Sequence, residues 1–182
     1  AGLEVGQGVW VPCKHEVWRS GTVVGFAEGA VVVEVKATRA LAKPERVEVP
    51  SQPTKGGPQI LARNEALKTR QGALGFKDLS HLPLLHEPAI LHALQVRFEE
   101  SVVYTNTGPV LLAVNPFKEV PNLYGKEQLT AYTELADDNE SADPHIFGVA
   151  RAAYQGVRRR GAHQTVLVSG ESGAGKTETT KF

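Results

Sequence analysis

Residues 170–177 read Gly-Glu-Ser-Gly-Ala-Gly-Lys-Thr, a complete G-x-x-x-x-G-K-[ST] loop, and these residue types suit an anion of several phosphates. Gly170, Gly173 and Gly175 let the backbone curl so that successive N–H groups converge on a β-phosphate, with Glu171, Ser172 and Ala174 completing the cradle. A helix opening after the loop adds a dipole that favours the anion. Lys176 supplies a point charge for the β/γ oxygens and is the expected catalytic residue, while the Thr177 hydroxyl is the expected Mg²⁺ ligand. A glycine-rich turn with an incidental Lys-Thr is the bland alternative, and context decides between the two. Read this way, the segment is a nucleoside-triphosphate site.

That context consists of the elements on either side. Thr165–Ser169 is short, apolar and β-branched, which predicts a buried parallel strand, and Glu178–Lys181 has no Gly or Pro and can open a helix. Upstream, Pro144 to Arg160 reads as a helix capped by Asp143, with Ile146, Ala150, Ala153 and Val157 on one face. Arg158, Arg159 and Arg160 sit where the dipole favours cations, as a solvated run rather than a contact for an acidic partner, and Gly161 ends the helix. Pro88 to Phe98 reads as a helix with Ile90, Leu91, Leu94 and Phe98 inward, and Lys126 to Leu135 as another; Asp137 to Ala142 is expected to be an acidic loop. Ser101–Tyr104 and Val110–Val114 are expected strands joined by a turn at residues 105–109, the second apolar enough for a sheet covered on both faces.

The first 50 residues differ in texture. Short β-prone runs at Gly8–Pro12, Trp18–Val24, Ala30–Lys36 and Arg46–Val49 have the spacing of a small barrel. Trp10 and Trp18 could form a peptide-binding pair, but filling or rimming a small core is the better reading. Residues 51–59 read as a Pro/Gly-rich linker, and residues 60–182 as an alternating α/β region.

Composition narrows the field. The 182 residues allow one or two domains, and 20 basic against 20 acidic residues give no bulk charge for nucleic acid. No apolar run of ~18 residues suggests a transmembrane helix. The single Cys13 fits a reducing cytosol, which leaves the sequon at Asn139 idle, and the six His show no metal-ligand spacing. The chain has no Met, begins at Ala1 and stops at Phe182 just after the phosphate loop, so it reads as a piece of a longer protein.

Several blocks together resemble one family. The Gly170–Thr177 loop followed by Glu178 is similar to the phosphate loop of myosin motor domains. Asn115-Pro116-Phe117-Lys118 resembles the myosin purine-binding loop, and residues 87–117 resemble the stretch leading into it. Asp143-Pro144-His145-Ile146-Phe147 with Ala153-Tyr154 resembles the helix before the phosphate-loop strand, and residues 1–50 the SH3-like subdomain. The resemblance implies an α/β fold: part of a P-loop NTPase-type motor domain behind a small SH3-like β-barrel. It implies ATP with Mg²⁺, an adenine pocket of Asn115, Pro116, Phe117, Lys118 and Tyr124, and an actin-activated ATPase in the full-length protein, the piece alone being inactive. Tyr124 lies nine residues after Asn115, one more than the family's usual spacing. Actin filaments, bound through regions outside this sequence, and calmodulin or light chains are the implied partners, and a cytoplasmic, cytoskeletal location is implied with them. The loops that sense the γ-phosphate in the family have no counterpart in this sequence. The alternatives are another P-loop enzyme, kinesin-like or a small-molecule kinase, and a myosin-like actin tether without hydrolysis.

Overall fold

The computed structural model describes residues 2–14, 16–37, 43–52, 59–67, 70–135 and 142–182. Most of the expected Pro/Gly linker and of the acidic loop lies outside the described residues. Two compact units are formed, one from residues 1–73 and 82–92, the other from residues 74–81 and 93–182.

In the first unit, β1 (Gly8–Cys13), β2 (Val17–Ala27), β3 (Ala30–Val35), β4 (Glu45–Pro50) and β5 (Leu61–Ala62) make an antiparallel sheet in the order β4-β3-β2-β1-β5. Period-2 alternation explains its core. Val31, Val33 and Val35 point inward from β3 and Val49 from β4, meeting Val9, Val11 and Val23, while Glu34 and Glu48 face out. A bulge between Val23 and Gly25 bends the long β2. The expected closed barrel is not formed. Closure would require the edges β4 and β5 to pair, and β5 is only two residues long. Because β5 follows the expected linker, the sheet is also not confined to residues 1–50. Trp10 leaves β1 on the face opposite Val9 and Val11 and is buried against His92, ring centroids 5.2 Å apart, so it packs a core.

The chain then forms two short helical turns around α1 (Arg70–Gly75), followed by α2 (Glu87–Glu99). The expected inward stripe of α2 is corrected. Pro88, Ala89, Ala93, Val96 and Arg97 are buried, whereas Leu91 and Phe98 are exposed. Apolar residues surround this helix on all sides, so periodicity could not choose a face; its small residues allow the closest approach.

The second unit holds the hairpin of β6 (Tyr104–Thr107) and β7 (Val110–Ala113), then α3 (Lys126–Glu134), α4 (Ile146–Arg160) and the short α5 (Lys176–Thr179). β6 begins three residues later than expected. Ser101, at φ 61°, ends the chain's exit from α2, and the turn is reduced to Gly108 at φ 56° followed by Pro109, the sign pattern of a tight hairpin turn. β7 is not covered on both faces either, since Val110 and Ala113 are exposed.

The cap of α4 is also corrected. His145, not Asp143, is the N-cap, its ring nitrogen accepting from the Phe147 N–H. Pro144 therefore precedes the helix. Of the expected stripe Ile146 is buried, but Ala150 and Val157 are exposed and Gly156 is buried instead. The reason is the returning chain: a Cβ on Gly156 would lie 2.6 Å from the Gln164 amide. Gly161 ends the helix as expected, left-handed at φ 60°, donating to the Val157 carbonyl. Val103, Tyr104, Tyr132, Ile146 and Phe147 form the core of this unit.

Residues 165–169, expected as a buried parallel strand, form no strand, and Leu167 is 87% exposed. A strand persists by pairing, and β6 and β7 pair with each other.

Candidate functional site

The phosphate loop has the backbone its glycines permit. Gly173 at φ 81° and Gly175 at φ 92° are left-handed, a region where a side chain would strain the chain, and Gly175 is the residue from which α5 starts. The Ala174 N–H closes the turn on the Glu171 carbonyl at 3.2 Å, and Thr179 and Thr180 donate back to Gly175 and Lys176. Lys176 folds over the loop's first residues. Its ammonium donates to the Gly170 and Glu171 carbonyls at 2.7 and 2.8 Å, which fixes the charge above the curl of the backbone. Glu171, Ser172, Gly173 and Thr177 are exposed, so the loop and the Thr177 hydroxyl are open to a ligand.

The structure joins this loop to the second predicted block. Asn115 Nδ2 donates to the Gly173 carbonyl at 3.0 Å, and its Oδ1 accepts from the Phe117 N–H at 2.9 Å. A Cβ added at Gly175 would lie 3.9 Å from the same side chain. Pro116 is half-buried, Lys118 is exposed, and Phe117, left-handed at φ 51°, is 81% exposed. The two loops are brought together by Asn115, with an open aromatic face beside them.

Tyr124 sits differently. Among the described residues its ring neighbours are His145, Phe147 and Phe182, the last stacked at 3.7 Å and 9°, and Phe117 is not among them. Its hydroxyl is 2.8 Å from that of Tyr104. Burial, then the Tyr124 hydroxyl, pushes the Tyr104 phenol well above its ordinary pKa, so it stays protonated. Tyr104 thus links Tyr124 to the core, a role that sequence reasoning did not single out. Its only signal was an aromatic residue ending a β-prone run.

His145 ties α4 into the same cluster. Because Nδ1 accepts from Phe147, the proton lies on Nε2, which donates to the Leu123 carbonyl at 2.9 Å. Burial lowers its pKa, the Leu123 bond opposing.

A family described as "Myosin head (motor domain)" matches residues 76–182. The Myosin-J heavy chain of Dictyostelium discoideum is 39% identical over 181 residues, covering 97% of this chain and 7% of that protein. Human Unconventional myosin-Vc is 37% identical over 176 residues, 96% of this chain and 9% of that protein. Myosin-7 of Arabidopsis thaliana is 38% identical over 182 residues, 100% of this chain and 9% of that protein. The chain therefore spans about a tenth or less of these relatives' lengths.

Proposed function

The chain belongs to the myosin head family, and from that premise we propose that it is the ATP-binding N-terminal part of a motor coupling ATP hydrolysis to movement along actin filaments. The observation that carries this reading is the junction of loops, where Asn115 bonds Gly173 beside an ammonium already held over the phosphate-type curl.

The donor set suits a magnesium nucleotide: one fixed cation, an exposed Thr177 hydroxyl and an open loop of left-handed glycines. In this reading Lys176 holds the β/γ oxygens and offsets the charge that develops on them. Thr177 would hold Mg²⁺, which when bound supplies charge neutralisation at the phosphates. Gly170 to Gly175 orient the phosphate chain through backbone N–H groups. Asn115, Pro116, Phe117 and Lys118 take the base side, with Phe117 offering a π-face and Lys118 a flanking cation. Tyr124, already stacked on Phe182, would shape the wall behind them. Catalysis in such a site is positioning and charge stabilisation rather than covalent chemistry.

Actin, calmodulin-type light chains and a cytoskeletal location belong to the same proposal, for the whole protein. No helix among the described residues is long and apolar enough to cross a membrane. The family match gives no support to a kinesin-like or kinase reading. The deciding experiment is steady-state ATPase of the complete protein with and without actin filaments. Activation by actin, together with ATP-dependent release from the filament, is expected. Actin binding without turnover would favour a tether instead.

A further inference from the structure

The second unit contains a cavity of about 420 Å³ that includes no residue of Gly170–Thr177 or Asn115–Lys118. Its size is within the range of small-ligand pockets, roughly 300–1,000 Å³. Arg97 forms part of its wall and is only 4% exposed. Nε donates to Thr105 Oγ1 at 2.8 Å, Nη1 to the Leu74 carbonyl at 2.8 Å and Nη2 to the Tyr104 carbonyl at 2.9 Å. All three acceptors are neutral. A guanidinium carries five N–H groups, so one further donor remains on each terminal nitrogen.

Among the described residues, the charged side chains lining the cavity are Lys77, Arg97 and Asp143. Its carboxylate, Asp143, is held 2.9 Å from the Lys77 ammonium, and among the described residues no carboxylate lies within ion-pair distance of Arg97. His145, also on the wall, is neutral with its proton committed to Leu123. A buried cation without a counter-charge is unfavourable, and burial lowers the Arg97 pKa accordingly, with the Asp143 charge opposing. The remaining wall is substantially apolar, including Leu74, Val102 and Pro144.

We propose that this cavity is a binding site for a small monocarboxylate with a short apolar chain, its carboxylate received by Arg97 and its chain by the apolar wall. A planar carboxylate matches the two terminal N–H groups of a guanidinium, and its charge would offset that of Arg97.

The test uses hexanoate as probe and hexanamide as its neutral counterpart, titrated into the ¹⁵N-labelled 182-residue chain. Saturable amide shifts at Ser101 to Tyr104 are expected, with a Kd on the order of 1 mM for so small a ligand. Hexanamide should bind at least about tenfold more weakly, the loss of one charge-assisted bond. Arg97→Lys should weaken hexanoate and spare hexanamide. Should that variant not fold, Gln128→Trp, which fills the cavity from a half-buried position on α3, should abolish binding of both. Equal affinity for the acid and the amide, hexanoate shifts that stay linear to about 50 mM, or unchanged binding in the Gln128→Trp chain would each overturn the proposal.

Discussion

Asn115 donates to the Gly173 carbonyl at 3.0 Å across 58 residues of sequence, while its other amide atom accepts from the Phe117 N–H. One side chain therefore fixes two things at once: the turn that presents Phe117 and the crest of the phosphate loop. Neither loop is regular structure, so each depends on such local bonds for its conformation.

Substitutions at Asn115 separate these two roles. Asn115→Asp keeps the acceptor for Phe117 but loses the donor to Gly173; Asn115→Ala loses both. Each exposed bond contributes about 0.5–1 kcal/mol, so unfolding midpoints of the chain should move little. Faster amide exchange is expected at residues 171–175 in both variants, and at Phe117 only in Asn115→Ala. In the complete protein, ATP affinity should fall roughly fivefold in Asn115→Ala and further in Asn115→Asp, whose carboxylate repels the phosphates. Unchanged exchange in the phosphate loop would show that the bond does not organise it.

His145 gives the fold an acid-side weakness. Its folded-state pKa is lowered, so the unfolded chain binds the extra proton more readily. The associated stability is fully present above the unfolded value of about 6.5 and is lost as pH falls from there toward the folded value. A proton on Nδ1 would also face the Phe147 N–H and break the α4 cap. Urea unfolding between pH 8 and 5 should show stability falling below about pH 6.5. In His145→Asn, which can still cap, that slope should be reduced. An identical pH profile in the variant would remove His145 as its source.

How much of this was legible in the sequence depends on the range of the interaction. Local signals held: Gly161 ends α4 in the left-handed region, the β-prone runs Ala30–Lys36 and Arg46–Val49 form β3 and β4, and the glycines of the phosphate loop take positive φ. Signals that leave two answers open failed. Ile146, Ala150, Ala153 and Val157 share one face by the helical period, yet Ala150 and Val157 are exposed, while Gly156, off that stripe, is buried under the close pass of Gln164. Pairing was less legible still. Leu61–Ala62 joins β1, and residues 165–169 find no strand partner among the described residues, although the latter have much the stronger β propensity. Propensity says which segments can pair; it does not say what they meet. The candidate site divides similarly, since residue types named the phosphate loop and the family resemblance named the Asn115–Lys118 loop, but only the fold shows Asn115 joining them and Tyr104 bonding Tyr124.

The exposed segment before the phosphate loop makes a stability prediction. With 87% exposure, Leu167 contributes little packing in this chain, so Leu167→Ser should change unfolding free energy by less than about 0.5 kcal/mol. Val33→Ala, in the fully buried core of the first unit, should cost about 2 kcal/mol. Chemical denaturation of both variants checks the contrast. A large loss from Leu167→Ser would mean that the segment is covered in solution.

The sharpest expectations concern Lys176, Thr177 and Phe117 in the complete protein. Lys176→Ala removes the cation that its bonds to Gly170 and Glu171 hold in place, and nothing else in the loop carries positive charge. Thr177→Ala removes the hydroxyl proposed for Mg²⁺. Both changes strike interactions that strengthen as charge develops on the phosphates, so each should lower kcat by on the order of 10³-fold or more. Phe117→Ala instead removes an exposed face proposed for the base, a contact equal in ground and transition states. It should raise the KM for ATP with a smaller change in kcat, and reduce the preference for ATP over GTP. Steady-state ATPase measurements with both nucleotides, with and without actin, separate these patterns. Near-normal kcat in Lys176→Ala would refute the role given to the phosphate loop, whereas a kcat loss in Phe117→Ala matching that of Lys176→Ala would place Phe117 in the chemical step rather than at the base.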